Sequence, residues 1–245
     1  MPRYKLTLEY EGTHYAGWQT QPTDPTIQDA LEKALAQILR KPIPVVGSGR
    51  TDSGVHAEGQ VVHFDFDGEL DKKSLLKSLW GVLPKDIAAW DLEKVDEHFH
   101  ARFDGIARQY RYQIVTRPSP LRRRWAWERY FELDPGRMRE CAEMIKGTHD
   151  FESFCKHNPD VNHTNCEVSL SEIVSTGDGM LIYRIKANRF LHHMVRSLTG
   201  TMVDVGLGKR SVDSFKSLVF KPDRKSVGPT APAKGLILEK VFYKK

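Results

Sequence analysis

The chain reads as an α+β protein of two similar halves, with mainly antiparallel sheets and helices. Three observations carry that reading. Apolar and polar residues alternate in several short runs, as they do in half-buried strands. In other runs apolar residues recur at three- and four-residue spacing, as on amphipathic helices. The order strand–helix–strand–helix occurs twice, with little repeated sequence. At 245 residues, 40% hydrophobic and 28% charged, the chain can bury a substantial core. The same composition excludes a disordered or collagen-like protein.

In the first half, Tyr4, Leu6, Leu8 and Tyr10 alternate with Lys5, Thr7 and Glu9, which predicts a strand over 3–10. Thr26 is placed to cap a helix, with Asp29 three residues on. Ile27, Ala30, Leu31, Ala34, Leu35, Ile38 and Leu39 form its apolar stripe, and Pro42 and Pro44 end it. A glycine-rich loop, Gly47–Gly59, follows. Val62, Phe64 and Phe66 mark a strand. Residues 71–80 read as a helix stopped by Gly81 and Pro84.

In the second half, Tyr110, Tyr112 and Ile114 alternate with Arg111, Gln113 and Val115. Asp134-Pro135 starts a helix whose stripe is Met138, Cys141, Ala142 and Ile145. Met180–Lys186 reads as a strand. Leu191, Met194, Val195, Leu198, Met202 and Val205 give a helix that closes near Gly206 and Gly208. Ser211 caps a further short helix, and Leu236–Tyr243 is a closing strand. The joint falls near 103–108, giving halves of 1–104 and 105–245. The stretch 117–124 is an exposed loop.

No apolar run approaches the roughly 18 residues of a membrane span. The N-terminus lacks the apolar run of a secretory signal. Three cysteines are too few and odd in number for a disulfide framework. A reducing compartment such as the cytoplasm is expected.

Charge is unevenly spread. The chain carries a net charge of +5. Residues 101–130 hold eight arginines against Asp104 and Glu128, and residues 221–245 hold seven Lys/Arg against Asp223 and Glu239. The remainder is therefore net acidic. Positive charge beside Tyr110, Tyr112, Trp125, Trp127 and Tyr130 suits a polyanion with stacking bases. It equally suits a solvated basic face above ordinary core aromatics.

The segment Gly47-Ser-Gly-Arg-Thr-Asp-Ser-Gly-Val-His-Ala57 is the most chemically informative. Its glycines permit positive φ and close approach of backbone to a ligand. Arg50, Thr51 and Ser53 are donors beside Asp52, and such donors favour an ionised carboxylate. That carboxylate suits a nucleophile, a general base, a metal ligand or a group that holds a loop.

GRTDSGVHA (49–57) resembles the active-site signature of the tRNA pseudouridine synthase A family. Further blocks are similar to that family in the same order: YKLTLEYEGTHYAGWQ (4–19) with TIQDALEKAL (26–35), FHARFDGIARQYRY (99–112), GTHDFESF (147–154), NRFLHHMVRSLTGTMVDVGLGK (188–209) and APAKGLIL (231–238). The resemblance spans essentially the whole chain. It implies a pseudouridine synthase fold with a basic central cleft. It also implies isomerisation of uridine to pseudouridine at tRNA nucleotides 38, 39 and 40, in the anticodon stem-loop, with no cofactor and no metal.

Residue by residue, the family aspartate falls on Asp52, which would act as nucleophile. Tyr110 matches the family's active-site tyrosine, able to stack on a flipped uracil, while Tyr112 stays a core position. Arg196 matches the basic residue of the MVR block and would orient the carboxylate. Arg50 would hold displaced backbone or fill the gap left by the target base. Leu236 would line the base pocket. Arg102, Arg108, Arg111, Arg122, Arg123 and Arg124 are expected as phosphate contacts. His56, His192 and His193 are read as hydrogen-bonding or packing residues. The resemblance further implies a homodimer.

Two features depart from the family. Trp80 and Gly81 stand where an asparagine and a small residue are common. Cys155, His157, His163 and Cys166 form a C-x-H…H-x-x-C arrangement that could hold zinc, although the spacing is atypical. Two other function classes fit parts of the sequence: a non-catalytic RNA-binding or RNA-folding protein on the same fold, and a glycosidase-like hydrolase using Asp52. The hydrolase reading lacks an evident second carboxylate.

Overall fold

The computed structural model describes residues 1–130, 132–156 and 162–244. In chain order the elements are β1 (Arg3–Tyr10), α1 (Ile27–Leu39), the short β2 (Val46–Gly47), β3 (His56–Asp65), α2 (Lys72–Val82), β4 (Ile87–Val95) and β5 (Gly105–Val115). Then come the short β6 (Trp127–Glu128), α3 (Pro135–Met144), β7 (Gly147–Asp150), β8 (Asn165–Ser175), β9 (Met180–Ala187), α4 (Met194–Gly206), α5 (Val212–Phe220) and β10 (Leu236–Tyr243). The architecture is α+β, and all but two strand pairings within the units described below are antiparallel.

The chain divides into two compact units, 1–106 with 237–245, and 107–236. The sequence reading runs the second half to residue 245. The last nine residues instead cluster with the first unit, because β10 pairs in parallel with β3 (Ile237↔His56, Leu238↔Ala57).

In the first unit β1 lies between β3 and β4. Leu6 faces Val62 on one side and Leu92 on the other. Its alternation buries Tyr4, Leu6, Leu8 and Tyr10, and Tyr4 stacks on Phe64 at 5.7 Å. The α1 helix begins where Thr26 Oγ1 accepts from the Asp29 N–H, and its buried stripe is Ile27, Leu31, Ala34 and Leu35. Asp71 caps α2 by accepting from Ser74 N–H. The helix passes through Gly81 before Leu83 and Pro84 stop it. Trp80, on the outer side of α2, donates its indole N–H to Ala89 O.

In the second unit the strands run β5–β9–β8–β7, with β6 beside β5. Tyr112 pairs with Tyr183 and Ile114 with Leu181, and all four are buried. Asp134 caps α3 through Gly136 and Arg137 N–H. The α4 helix is buried over most of its length. Thr199 and Thr201 return their hydroxyls to the carbonyls of Val195 and Ser197 (2.7 and 2.8 Å), which makes them compatible with burial inside a helix. No helix among the described residues is long and apolar enough to cross a membrane.

Candidate active site

The loop carrying Asp52 joins β2 to β3 and is held against the segment that follows β1. Trp18 N–H donates to Thr51 O (3.1 Å), Gly54 N–H to Tyr15 O (3.3 Å) and Ser48 N–H to Val61 O (2.8 Å). Gln60, fully buried, donates to Gly49 O (2.9 Å) and accepts from Ser48 Oγ (2.7 Å). Asp52 O accepts from Val55 N–H (3.1 Å), closing a tight turn before β3. The Asp52 side chain is half-buried at the edge of this frame.

Two glycines in the 10–19 segment explain how the loop can sit so close. A Cβ on Gly12 would lie 2.1 Å from Val55 O, which no side chain tolerates. Gly17 has φ +103°, and a Cβ there would lie 2.6 Å from Thr51 O. In the sequence this segment stands out only as similar to a family block. Its role as the cradle of the loop was signalled by the two glycines flanking Tyr15.

The donors beside Asp52 in sequence are not all directed at it. Thr51 is buried, and its hydroxyl bonds to Tyr10 OH (2.8 Å). Ser53 Oγ donates to Tyr15 O (3.2 Å). Arg50 is exposed, with no hydrogen bond or ion pair among the described residues. Thr51 and Ser53 therefore fasten the loop to its frame, which corrects the expectation that they serve the carboxylate. Burial keeps the Tyr10 hydroxyl protonated, its pKa raised well above the ordinary value. His56 is buried and accepts from Gly12 N–H at Nδ1 (3.0 Å), a loop-holding role.

In the second unit Tyr110 lies on β5, half-buried and edge-on to Phe190 at 4.9 Å. Tyr112, two residues on, is fully buried and donates to Pro232 O (2.7 Å). Arg196 is half-buried on α4 and donates Nε–H to Ala231 O (2.8 Å), while its own carbonyl accepts from Ala231 N–H (3.0 Å). Burial pushes the Tyr112 hydroxyl pKa up, and the positive charges of Arg196 and Arg129 act against that rise. Arg196 and Tyr112 thus grip the Ala231–Pro232 segment from two elements. Leu236, buried, begins β10 just beyond it.

The arginines expected on an RNA surface divide. Arg102 is exposed, its guanidinium 5.6 Å from the ring of the exposed Phe103. Arg123 and Arg124 are exposed. Arg108 and Arg111 are half-buried, and Arg108 donates to Asn188 O (3.3 Å). Arg122 is half-buried and ion-paired with Asp178, whose carboxyl is held down to about 2 by hydrogen bonds from Thr176 and Arg122. Arg122 therefore anchors its own loop.

The Cys/His arrangement includes His157, which lies outside the described residues. Cys155 and Cys166 are buried, and burial pushes both thiols up, Cys166 to about 11.

A tRNA pseudouridine synthase family model matches residues 7–104 and 141–244. The tRNA pseudouridine synthase A of Myxococcus xanthus is 42% identical over 100% of this chain and 93% of its own length. Those of Bacillus pumilus and Bacillus subtilis are 41% and 42% identical, each over 98% of this chain and 99% of their own. A weaker match, the archaeal box H/ACA sRNP Nop10–Cbf5 complex, is 11% identical at TM-score 0.36, covering 91% of this chain and 60% of that chain. With the family pattern matched on both sides of the chain's middle and full-length relatives above 40% identity, this chain belongs to the tRNA pseudouridine synthase family.

Proposed function

We propose that this protein isomerises uridine to pseudouridine in the anticodon stem-loop of tRNA, at tRNA nucleotides 38, 39 and 40, with Asp52 as nucleophile. The observation that carries this reading is the GRTDSGVHA loop. It lies within the family-matched residues, and backbone bonds on both sides restrain it while leaving Asp52 half-buried at its edge.

The reaction breaks the N1–C1′ glycosidic bond, turns the uracil, and joins C5 to C1′. Positive charge grows at C1′ during cleavage, so a placed carboxylate suits the step. Asp52 serves by attack on C1′, by attack on C6 of the base, or by removing a sugar proton on a glycal route. In each case C5 gains the bond to C1′ and loses its proton. Reactant and product have the same atoms and oxidation state, so the stoichiometry calls for no cofactor, and none is proposed.

In this reading Tyr110 stacks on the flipped uracil, with its hydroxyl near the C5 proton. Arg196, which donates its Nε–H to Ala231 O, supplies the positive charge that favours an ionised carboxylate. Arg50, exposed and uncommitted, fills the space left by the target base. Leu236 lines the base pocket. Arg102, Arg123 and Arg124 meet phosphates, with Arg108 and Arg111 beside them. The functional form is a cytoplasmic homodimer.

Incubation of purified protein with unmodified tRNA, followed by chemical mapping of pseudouridine, tests the reading. Pseudouridine at the three anticodon-stem positions is expected. Release of free uracil would instead identify a hydrolase, and binding without modification would identify an RNA-folding protein.

A further inference from the structure

In the second unit Arg129 follows β6 and continues its pairing, its N–H donating to Val115 O (2.8 Å). Side chains alternate along such an extended stretch, so Trp127 and Arg129 share one side and Glu128 takes the other. Glu128 is committed there, accepting from Tyr130 OH and from Lys234 Nζ (both 2.9 Å). On the opposite side Trp127 is buried and edge-on to Tyr112 at 6.2 Å. The Arg129 guanidinium lies over the Trp127 ring, 4.2 Å from its centroid.

Two observations set this arginine apart. The first is that its charge is unanswered. Arg129 is half-buried, and its Nε is buried with no hydrogen-bond partner. Its side chain makes no hydrogen bond or ion pair among the described residues. Arg122, Arg137 and Arg139 of the same unit are bonded to Asp178, Asp134 and Ile173 O. A guanidinium drawn partly out of water normally gains such an acceptor. The second is its position. Arg129 and Arg196 both lie within electrostatic reach of the Tyr112 hydroxyl. Tyr112 donates to Pro232 O and Arg196 to Ala231 O. Arg129 therefore stands near the arginine proposed to orient the carboxylate.

We infer that the Arg129 guanidinium binds a backbone phosphate of the RNA substrate. Stacking on Trp127 fixes the plane of the guanidinium and leaves its N–H edges to meet an acceptor. A phosphodiester supplies two acceptor oxygens and a negative charge, which match that fork in shape and sign. Arg129 is thus a binding residue beyond the six arginines expected from the sequence, and it takes no part in bond making. The identity of the RNA as tRNA rests on the tRNA-modifying reading.

The test compares unmodified tRNA binding by the wild type, Arg129→Gln and Arg129→Lys over a range of salt. Arg129→Gln should bind roughly tenfold more weakly, with a slope of log affinity against log salt lower by about 1. Arg129→Lys keeps the charge and should restore most of that slope. In the wild type, the Arg129 Nε–H signal, assigned by its loss in Arg129→Lys, should shift saturably when an anticodon stem-loop RNA is added. This readout stands even if Arg129→Gln fails to fold. An unmoved Nε–H signal, or an unchanged slope in Arg129→Gln, overturns the site. A slope that falls as far in Arg129→Lys as in Arg129→Gln marks a packing role on Trp127 and also overturns it. So does an unchanged slope with a smaller sedimenting species, which would assign Arg129 to a contact with a second copy of the chain. Loss of slope in a protein that forms no pseudouridine would remove the tRNA-modifying reading and leave the phosphate contact standing. Normal pseudouridine formation with unchanged binding in Arg129→Gln would do the reverse.

Discussion

Two arginine-bearing loops, 48–55 and 117–125, are built in contrasting ways. The first is tied down mainly through its backbone: Ser48, Thr51 and Gly54 all bond to main-chain groups of other segments. The second closes on itself through Arg122 N–H to Ser119 O and Trp125 N–H to Arg122 O (both 3.0 Å). It is tied to its surroundings largely by long side chains, with Arg117 donating to Asp178 O, Arg122 paired with Asp178, and Lys234 reaching Arg123 O. Backbone ties fix position to a fraction of an ångström, whereas ties through flexible side chains do not. A carboxylate that must meet one reacting atom needs the first kind of loop. A charge that meets a phosphate anywhere along its shell works from the second.

The largest expected contrast is in turnover. Asp52→Ala should lower pseudouridine formation by at least about a thousandfold, the scale on which loss of a nucleophile acts. Binding of tRNA should stay within about tenfold. A single-turnover assay beside a filter-binding titration separates the two. Retained turnover would remove the nucleophile from Asp52 and reduce the first loop to a structural one.

Stability supplies the next contrast. Gly12→Ala puts a methyl group 2.1 Å from Val55 O, and backbone on both sides limits relaxation. A loss of about 3 kcal/mol in urea unfolding is expected, with activity falling further than stability alone accounts for. Arg124→Ala, in the exposed loop, should change unfolding by less than about 0.5 kcal/mol. Equal effects of the two substitutions would erase the distinction between the loops.

A pH series sharpens the comparison within the first unit. His63 is buried, accepts from Ala101 N–H at Nδ1 (3.1 Å), and is held down to about 4 by burial and by the charges of Arg3 and His100. The fold therefore keeps a neutral imidazole, while the unfolded chain protonates near 6.5. Stability is fully present above pH 6.5 and declines as pH falls toward 4, by on the order of 2 kcal/mol. Asp65, whose carboxyl Arg3 holds below the usual range, stabilises the fold throughout this window and loses that contribution only at more acidic pH. Urea unfolding at pH 4.5 to 7 should show this limb in the wild type. It should flatten in His63→Asn, whose side-chain oxygen can take the place of Nδ1.

Much of the fold was legible because burial follows simple periods. β1 buries the residues that alternation selects, α1 buries Ile27, Leu31, Ala34 and Leu35 of its stripe and half-buries Ala30, Ile38 and Leu39, and Thr26, Asp134 and Ser211 cap the helices they precede. β4 and β8 were not legible, for a shared physical reason. Each carries a register shift that reverses the alternation partway. In β4, Leu8 pairs with Ala89 and Thr7 with Asp91, which leaves Trp90 as an extra, exposed residue. In β8, the shift between Val168 and Leu170 buries Cys166 and Val168, then Ser171 and Ile173. A bulge preserves the strand and breaks the pattern that would reveal it. At the candidate site, the types and spacing of the residues marked out the 47–57 loop as chemical. They did not reveal that Thr51 bonds to Tyr10, 41 residues away, or that Arg122 pairs with Asp178, 56 residues away. Pairings at that separation depend on tertiary packing.

The last pairing leads to the smallest expected effect and the finest division of the second loop. Were all three arginines of 122–124 equivalent, neutralising any one would weaken tRNA binding equally. The side-chain geometry separates them. Arg122 already faces Asp178, so Arg122→Ala removes an ion pair worth under about 1 kcal/mol and leaves Asp178 unpaired, but it removes no cation that is uncommitted and ready to meet a phosphate. Arg123 and Arg124 are exposed. Arg123→Ala and Arg124→Ala should each lower the slope of log affinity against log salt by up to about 1, while Arg122→Ala lowers it by less. Equal slopes for all three would mean that Arg122 leaves Asp178 when RNA binds. Unchanged slopes for Arg123 and Arg124 would move the RNA surface away from this loop.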